Sequence, residues 1–147
     1  MATVQSGLDK KSRAVHALSP RHQVRDALQL MHEHRIRSVM VMDGNVLAGI
    51  VSERDCALKV LLPGLDANNT PLSAVMTAAP VTVAPQDSLD HCMREMTTRS
   101  IRHLPVLSGG AVVGMISIGD IVKDIMRQQE QHIRYLETYI KGHSGSY

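Results

Sequence analysis

A chain of 147 residues, 44% hydrophobic and 20% charged, is about one globular unit, which excludes a disordered, collagenous or purely coiled-coil chain. The formal net charge of +2 gives no reason to expect nucleic acid or a membrane surface as partner. There is no Trp or Phe, and the three Tyr stand at 135, 139 and 147. No aromatic platform for stacked bases is therefore on offer, and the core must be built from Val, Ile, Leu, Met and Ala.

Residues 1–13 carry no apolar stretch of the kind a secretory signal needs. Lys10-Lys11-Ser12-Arg13 reads as a solvated basic lead-in. A first unit is expected over 14–62. It starts with an extended piece ending at Pro20. An amphipathic helix follows, with Val24, Ala27, Leu28 and Met31 at helical spacing. His32-Glu33-His34 closes that helix, and residues two apart point away from each other, so no metal site is read there. Two apolar runs, 39–42 and 46–51, flank the turn Asp43-Gly44-Asn45 as a hairpin, and a second helix runs from about Glu53 to Leu62.

Residues 63–75, rich in Pro, Gly, Asn and Asp, read as a linker. A second unit, 76–127, has the same layout. Its extended piece is 81–85, and Leu89, Cys92, Met93 and Met96 mark its helix, with Asp87 placed to cap it. Runs 104–107 and 111–116 flank Ser108-Gly109-Gly110, and another helix starts near Ile118. In the tail, 128–147, Ile133, Leu136 and Ile140 recur on one helical stripe, with Gly142 as a stop; a stripe so narrow favours a homodimer contact over packing on its own module. No apolar run approaches the roughly twenty residues of a membrane span. Cys56 and Cys92, thirty-six residues apart among apolar neighbours, read as reduced and buried in a cytoplasmic protein. Met31, Met40, Met42, Met93, Met96 and Met115 fall at core spacings and read as filler.

The two units are copies. Residues 15–61 laid on 80–126 without a gap give nine identities: Pro20/Pro85, Met31/Met96, Ile36/Ile101, Arg37/Arg102, Val41/Val106, Gly44/Gly109, Gly49/Gly114, Ser52/Ser117 and Asp55/Asp120. Most are residues with backbone or polar roles. The layout is β-α-β-β-α twice, an α/β chain of the α+β kind. One copy alone cannot bury both faces, so the two should associate.

Each copy ends its hairpin in Gly-x-x-Ser-x-x-Asp: Gly49–Asp55 and Gly114–Asp120. The bland reading is helix capping by Ser52 and Ser117. The functional reading uses the same geometry, since a carboxylate at a helix start can accept both hydroxyls of a ribose. With no lysine or metal partner in the motif, the Asp suits a neutral diol better than a phosphate. Phosphate would need cations, and Arg37 and the Arg102-His103 pair stand at matching positions, with Arg54 inside the first motif.

These two motifs on two β-α-β-β-α repeats resemble a pair of cystathionine-β-synthase (CBS) domains, the Bateman module. Val75-Met76-Thr77, Arg102-His103-Leu104-Pro105-Val106 and the tail 133–142 add to the likeness, which covers about 14–127 and resembles small free-standing bacterial CBS-pair signalling proteins. The resemblance implies a pseudo-twofold module with a C-terminal helix. It also implies adenosine ligands (AMP foremost, or ADP, ATP, NAD or S-adenosylmethionine) in clefts between the copies, with no catalytic cofactor. The second site would comprise Thr82, Val83, Arg102, His103, Leu104, Pro105, Ser117 and Asp120, and the first His16, Arg37, Ser38, Ser52, Arg54 and Asp55. Asp120 would hold ribose, Arg102 and His103 phosphate, and Thr82 and Val83 would line adenine. The first copy has Ser38-Val39-Met40 against His103-Leu104-Pro105, and Arg54 against Gly119, so the second site is the better match.

The resulting expectation is a cytoplasmic, non-enzymatic sensor that relays ligand state to a regulated protein whose identity the sequence leaves open. A structural adaptor with degenerate clefts is the rival. An enzyme fares worst, since no nucleophile beside a base, metal cluster or phosphate-binding loop is evident.

Overall fold

The computed structural model describes residues 2–11 and 15–144, with side chains as far as Lys141. In chain order it contains α1 (Val4–Asp9), β1 (Ala17–Leu18), α2 (Val24–His34), β2 (Ser38–Asp43) and β3 (Val46–Ser52). Then come α3 (Glu53–Cys56), continued by a π-helical turn (Ala57–Leu61), a 3₁₀ turn (Leu72–Ala74), β4 (Thr77–Ala78) and α4 (Leu89–Arg99). β5 (His103–Ser108), β6 (Ala111–Ser117) and α5 (Ile118–Ser144) complete it.

Both hairpins form on two-residue loops. Gly109 and Gly110 supply the two positive φ angles, +58° and +83°, that such a loop asks for, and Gly44 supplies +62° in the first copy. The strands shift register at the same place in each copy, between Val41 and Met42 and between Val106 and Leu107. β1 lies parallel to β2 through Leu18 and Val41, and Val83 makes the matching parallel bridge to Val106. α4 is capped by Ser88, whose Oγ accepts from His91 N–H at 3.0 Å. Asp87, the expected cap, stands one residue too early and accepts from Ala84 N–H at 2.8 Å instead.

Strand alternation splits each hairpin between two environments. Val39, Val41 and Val51 face a first core with Val24, Ala27 and Met31, while Leu104, Val106 and Ile116 face a second with Leu89, Cys92 and Met96. Ser38, Met40 and Pro105 are buried outside both cores, and Ser38 Oγ lies 3.9 Å from Met115 Sδ. That contact joins the two repeats through their opposite sheet faces.

The segments read as lead-in and linker are structural. Leu72 and Val75, from 63–75, belong to the first core; Val4 and Leu8, from 1–13, belong to the second. Their bonding is equivalent in detail. Pro71 bridges Gln23 as Thr3 bridges Ser88. Leu72 N–H donates to His22 O at 2.8 Å as Val4 N–H does to Asp87 O at 2.8 Å. Each repeat is thus closed by the segment that precedes the other. β4 extends the first sheet in the same way, with Thr77 opposite Ile50 and Ala78 opposite Gly49.

The tail also differs from expectation. No separate helix begins at 128, and α5 runs unbroken from Ile118 through Gly142 to Ser144. A single glycine near a helix end costs only about 1 kcal/mol relative to alanine. The helix is buried on one side as far as Asp124 and Ile125 and exposed from 128 to 141, so its outer half does not pack on its own module. Cys56 and Cys92 are buried and unpaired. Burial first, and nearby Asp55 and Asp87 next, push both thiols up to about 11, so they stay protonated and inert.

Candidate functional site

β3 and β6 each deliver a serine in extended conformation to the start of a helix, where the free N–H groups need acceptors. Ser52 Oγ accepts from Asp55 N–H at 3.2 Å, and Asp55 Oδ2 accepts from Ser52 N–H at 2.9 Å and from its hydroxyl at 3.1 Å. Ser117 and Asp120 repeat the reciprocal pair at 3.2 and 2.9 Å. Helix capping is therefore real in both copies. It also locks each carboxylate in place, which leaves a binding role to whatever acceptor capacity remains.

That capacity differs. Asp55 Oδ1 receives Lys59 Nζ at 3.1 Å from one turn further along, and Lys59 also donates to Val75 O at 3.0 Å. Both oxygens of Asp55 are engaged. Lys11 Nζ reaches Asp120 Oδ2 at 2.8 Å and Met115 O at 3.1 Å. Asp120 Oδ1 has no partner among the described residues. One expectation is corrected here. Neither motif contains a lysine, but each Asp draws one from outside it, and Lys11 is no solvated lead-in, because the closing of the second repeat by the N-terminal segment carries it to Asp120. Lys10 follows it to Asp124 at 3.7 Å. Ser12 and Arg13 lie outside the described residues. The repeat could have revealed this had it been extended past a change of offset, from 65 (85 − 20) to 68 (71 − 3), that three extra residues impose.

His103 opens β5 directly opposite Ser117. Its pKa is pushed down to about 4, mainly by burial, then by the positive charges of Lys11, Arg37 and Arg102, against the opposing pull of Asp120. The imidazole is neutral near pH 7. Of the Arg102-His103 pair, Arg102 is exposed and charged, while His103 can offer only an uncharged N–H. Arg37, from the first copy, acts on the same imidazole, so the second cleft draws cations from both repeats.

The remaining second-site residues divide. Thr82 is exposed, Pro105 is buried outside both cores, and Val83 and Leu104 are in the second core. Val83 also spends its backbone N–H on Pro105 O and its carbonyl on Leu107 N–H. Gly119 stands where the first copy has Arg54, and a Cβ there would meet Ser117 Oγ at 3.6 Å. The first-site residues are less convergent. His16 stacks on His34 with ring centroids 4.0 Å apart; Ser38 is buried; Arg37 and Arg54 are exposed. The His16 pKa is lowered by burial and by His34. Among the described residues, no three His, Cys, Asp or Glu are placed to hold a metal, and no helix is long and apolar enough to cross a membrane.

The family model for the CBS domain matches this sequence twice, at residues 11–61 and 72–127. A mitochondrial CBS domain-containing protein of Arabidopsis thaliana is 32% identical over 124 residues, covering 81% of this chain and 60% of that protein. A CBS domain-containing protein of Bacillus subtilis is 31% identical over 121 residues, covering 82% and 86%. Among solved structures, a protein with CBS domains from Burkholderia ambifaria is 42% identical with a TM-score of 0.84, covering 87% of this chain and 96% of its own.

Proposed function

This chain belongs to the CBS domain family, and on that premise we propose that it is a non-catalytic module whose second cleft binds an adenine nucleotide, AMP before ADP, ATP or NAD. The chain is a CBS pair of the regulatory, signal-transducing class. The observation that carries the nucleotide reading is Asp120 Oδ1, without a partner among the described residues and fixed by its capping box beside a neutral His103, with Arg102 and Arg37, one from each repeat, near enough for their charges to act on that imidazole. A ribose can take Oδ1 while Lys11 keeps Oδ2. Phosphate can then draw on the two arginines and accept from His103. A CBS pair of like fold, 22% identical with a TM-score of 0.76, is solved in complex with 5′-methylthioadenosine and S-adenosylmethionine, which supports an adenosine class of ligand.

A ligand held by Arg37 on one repeat and Asp120 on the other would bias how the repeats sit against each other. A regulated protein could read that bias as a coupling of about 1–3 kcal/mol. The outer half of α5 exposes Ile133, Leu136 and Ile140 along one stripe, which supports association with a second copy. A CBS-CP12 protein of like fold, 27% identical, is hexameric. The reading is of a cytoplasmic protein.

Calorimetric titration of the folded full chain with AMP and GMP, beside Asp120→Ala, tests it. AMP should bind in preference to GMP, and the variant should lose about tenfold or more, the effect of a charge-assisted bond of roughly 1.5–3 kcal/mol. No heat from folded protein, or equal affinity in the variant, would leave the adaptor reading in its place.

A further inference from the structure

Lys10 and Lys11 of the N-terminal segment and Lys123 and Arg127 of α5 line one small, half-open cleft, together with Gly7 and Asp120. Lys123 and Arg127 lie three and seven residues beyond Asp120, so α5 presents all three on one face. Two carboxylates answer the four cations. Asp120 takes Lys11 at 2.8 Å, and the buried Asp124 takes Lys10 at 3.7 Å and a bond from Gln128 at 2.8 Å. Lys123 and Arg127 have no ion-pair partner among the described residues. The cleft therefore holds an excess of two positive charges, four cations less two carboxylates, equal to the formal net charge of the whole chain.

Cations that served only solubility would be dispersed over the surface, where repulsion between them is least. Here two separate elements bring four of them to one opening. The half-buried Arg127 contributes a planar fork of donors suited to phosphate oxygens, and the lysines contribute compact charges. A single carboxylate ligand would leave much of the excess unmet; an anion of charge two or more matches it.

We propose that this cleft is an anion site for a phosphate chain of the pyrophosphate class, either free or as the terminal phosphates of a nucleotide. It adjoins the Arg37, Arg102 and His103 cluster through Lys11 and Asp120, whose charges act on His103, but its Lys10, Lys123 and Arg127 are its own, and it stands even if no nucleoside binds at Asp120. The test is titration of the full chain with inorganic pyrophosphate, AMP and ATP at low salt. The wild type is compared with Lys123→Gln/Arg127→Gln and with a control, Arg21→Gln/Arg94→Gln, that removes the same charge elsewhere; cooperative melting checks the fold of each. Pyrophosphate should bind the wild type and the control alike and bind the cleft variant at least about tenfold more weakly, with AMP unaffected. ATP binding tighter than AMP, with the gain lost in the cleft variant, assigns the site to a nucleotide's terminal phosphates. A response to pyrophosphate alone assigns it to the free anion. No pyrophosphate binding by folded wild type, or equal loss in cleft variant and control, overturns the proposal.

Discussion

Asp55 and Asp120 occupy equivalent places in two copies of one motif, yet their lysines come from different origins. Lys59 lies on the same helical stretch as Asp55, one turn along, so the pair forms locally and moves as one body. Lys11 reaches Asp120 across 109 residues of sequence, on a segment that belongs to the second repeat only because it packs there. The first carboxylate is satisfied on both oxygens, and the second has one oxygen with no partner among the described residues. Equivalent sequence motifs thus give unequal sites, because the neighbours that complete each motif come from elsewhere in the chain.

The two copies should differ most at their motif glycines. A Cβ on Gly49 would meet the Thr77 carbonyl oxygen at 2.7 Å, so Gly49→Ala forces β4 off β3 and should cost about 3 kcal/mol or more in a urea melt. A Cβ on Gly114 would meet Leu8 Cδ2 at 2.8 Å, a side-chain end that can rotate aside. Gly114→Ala should therefore cost only about 1 kcal/mol. Equal losses would show that α1 is seated as rigidly as β4.

The larger histidine contribution to the pH dependence of stability should come from the second copy, since His103 is shifted to about 4 while His16 of the first copy is lowered and only lightly buried. His103 titrates near 4 in the folded chain against 6.5 when unfolded, so the unfolded state binds the extra proton between those values. The stability it contributes is fully present above 6.5 and is lost as pH falls through about 4. With allowance for partial exposure the loss is about 2 kcal/mol. Ser38 holds the matching place in the first copy and does not titrate. His103→Ser should flatten this part of the profile, and Lys11→Met should raise the His103 pKa in an NMR titration. An unmoved His103 would mean that Lys11 does not reach the cleft.

The smallest effect tests where the copies agree. α2 and α4 both end on a non-glycine residue in left-handed conformation, Arg35 at φ 53° and Ser100 at φ 54°. Replacing either by glycine should stabilise the chain by similar amounts, up to about 1 kcal/mol, measured by thermal or urea unfolding. A gain in one copy alone would mean that one of these turns is held by contacts the other lacks.

Much of the fold was legible because its signals are local. Helical spacing of Val24, Ala27 and Met31, paired glycines at 109 and 110, and serine at the strand ends each act within a few residues. The pair of capped carboxylates was legible for the same reason. Lys11 was not, since three extra residues ahead of the first repeat conceal that its segment is equivalent to the one after the first repeat, and at that offset Lys11 itself matches Ala79. Leu72 and Val75 were also obscured, because a stretch rich in turn formers hides two core side chains. Val83 and Leu104, cleft residues by the family resemblance, have side chains in the second core, a placement that depends on strand alternation.

The two copies, their elements and the two carboxylates at helix starts follow from periodicity and backbone preference along the chain. Tertiary packing set which segment closes which repeat, that Asp120 Oδ1 has no partner among the described residues, and that His103 is neutral. Those outcomes depend on contacts between residues far apart in the chain and on burial, and neither is encoded in any local run of residues.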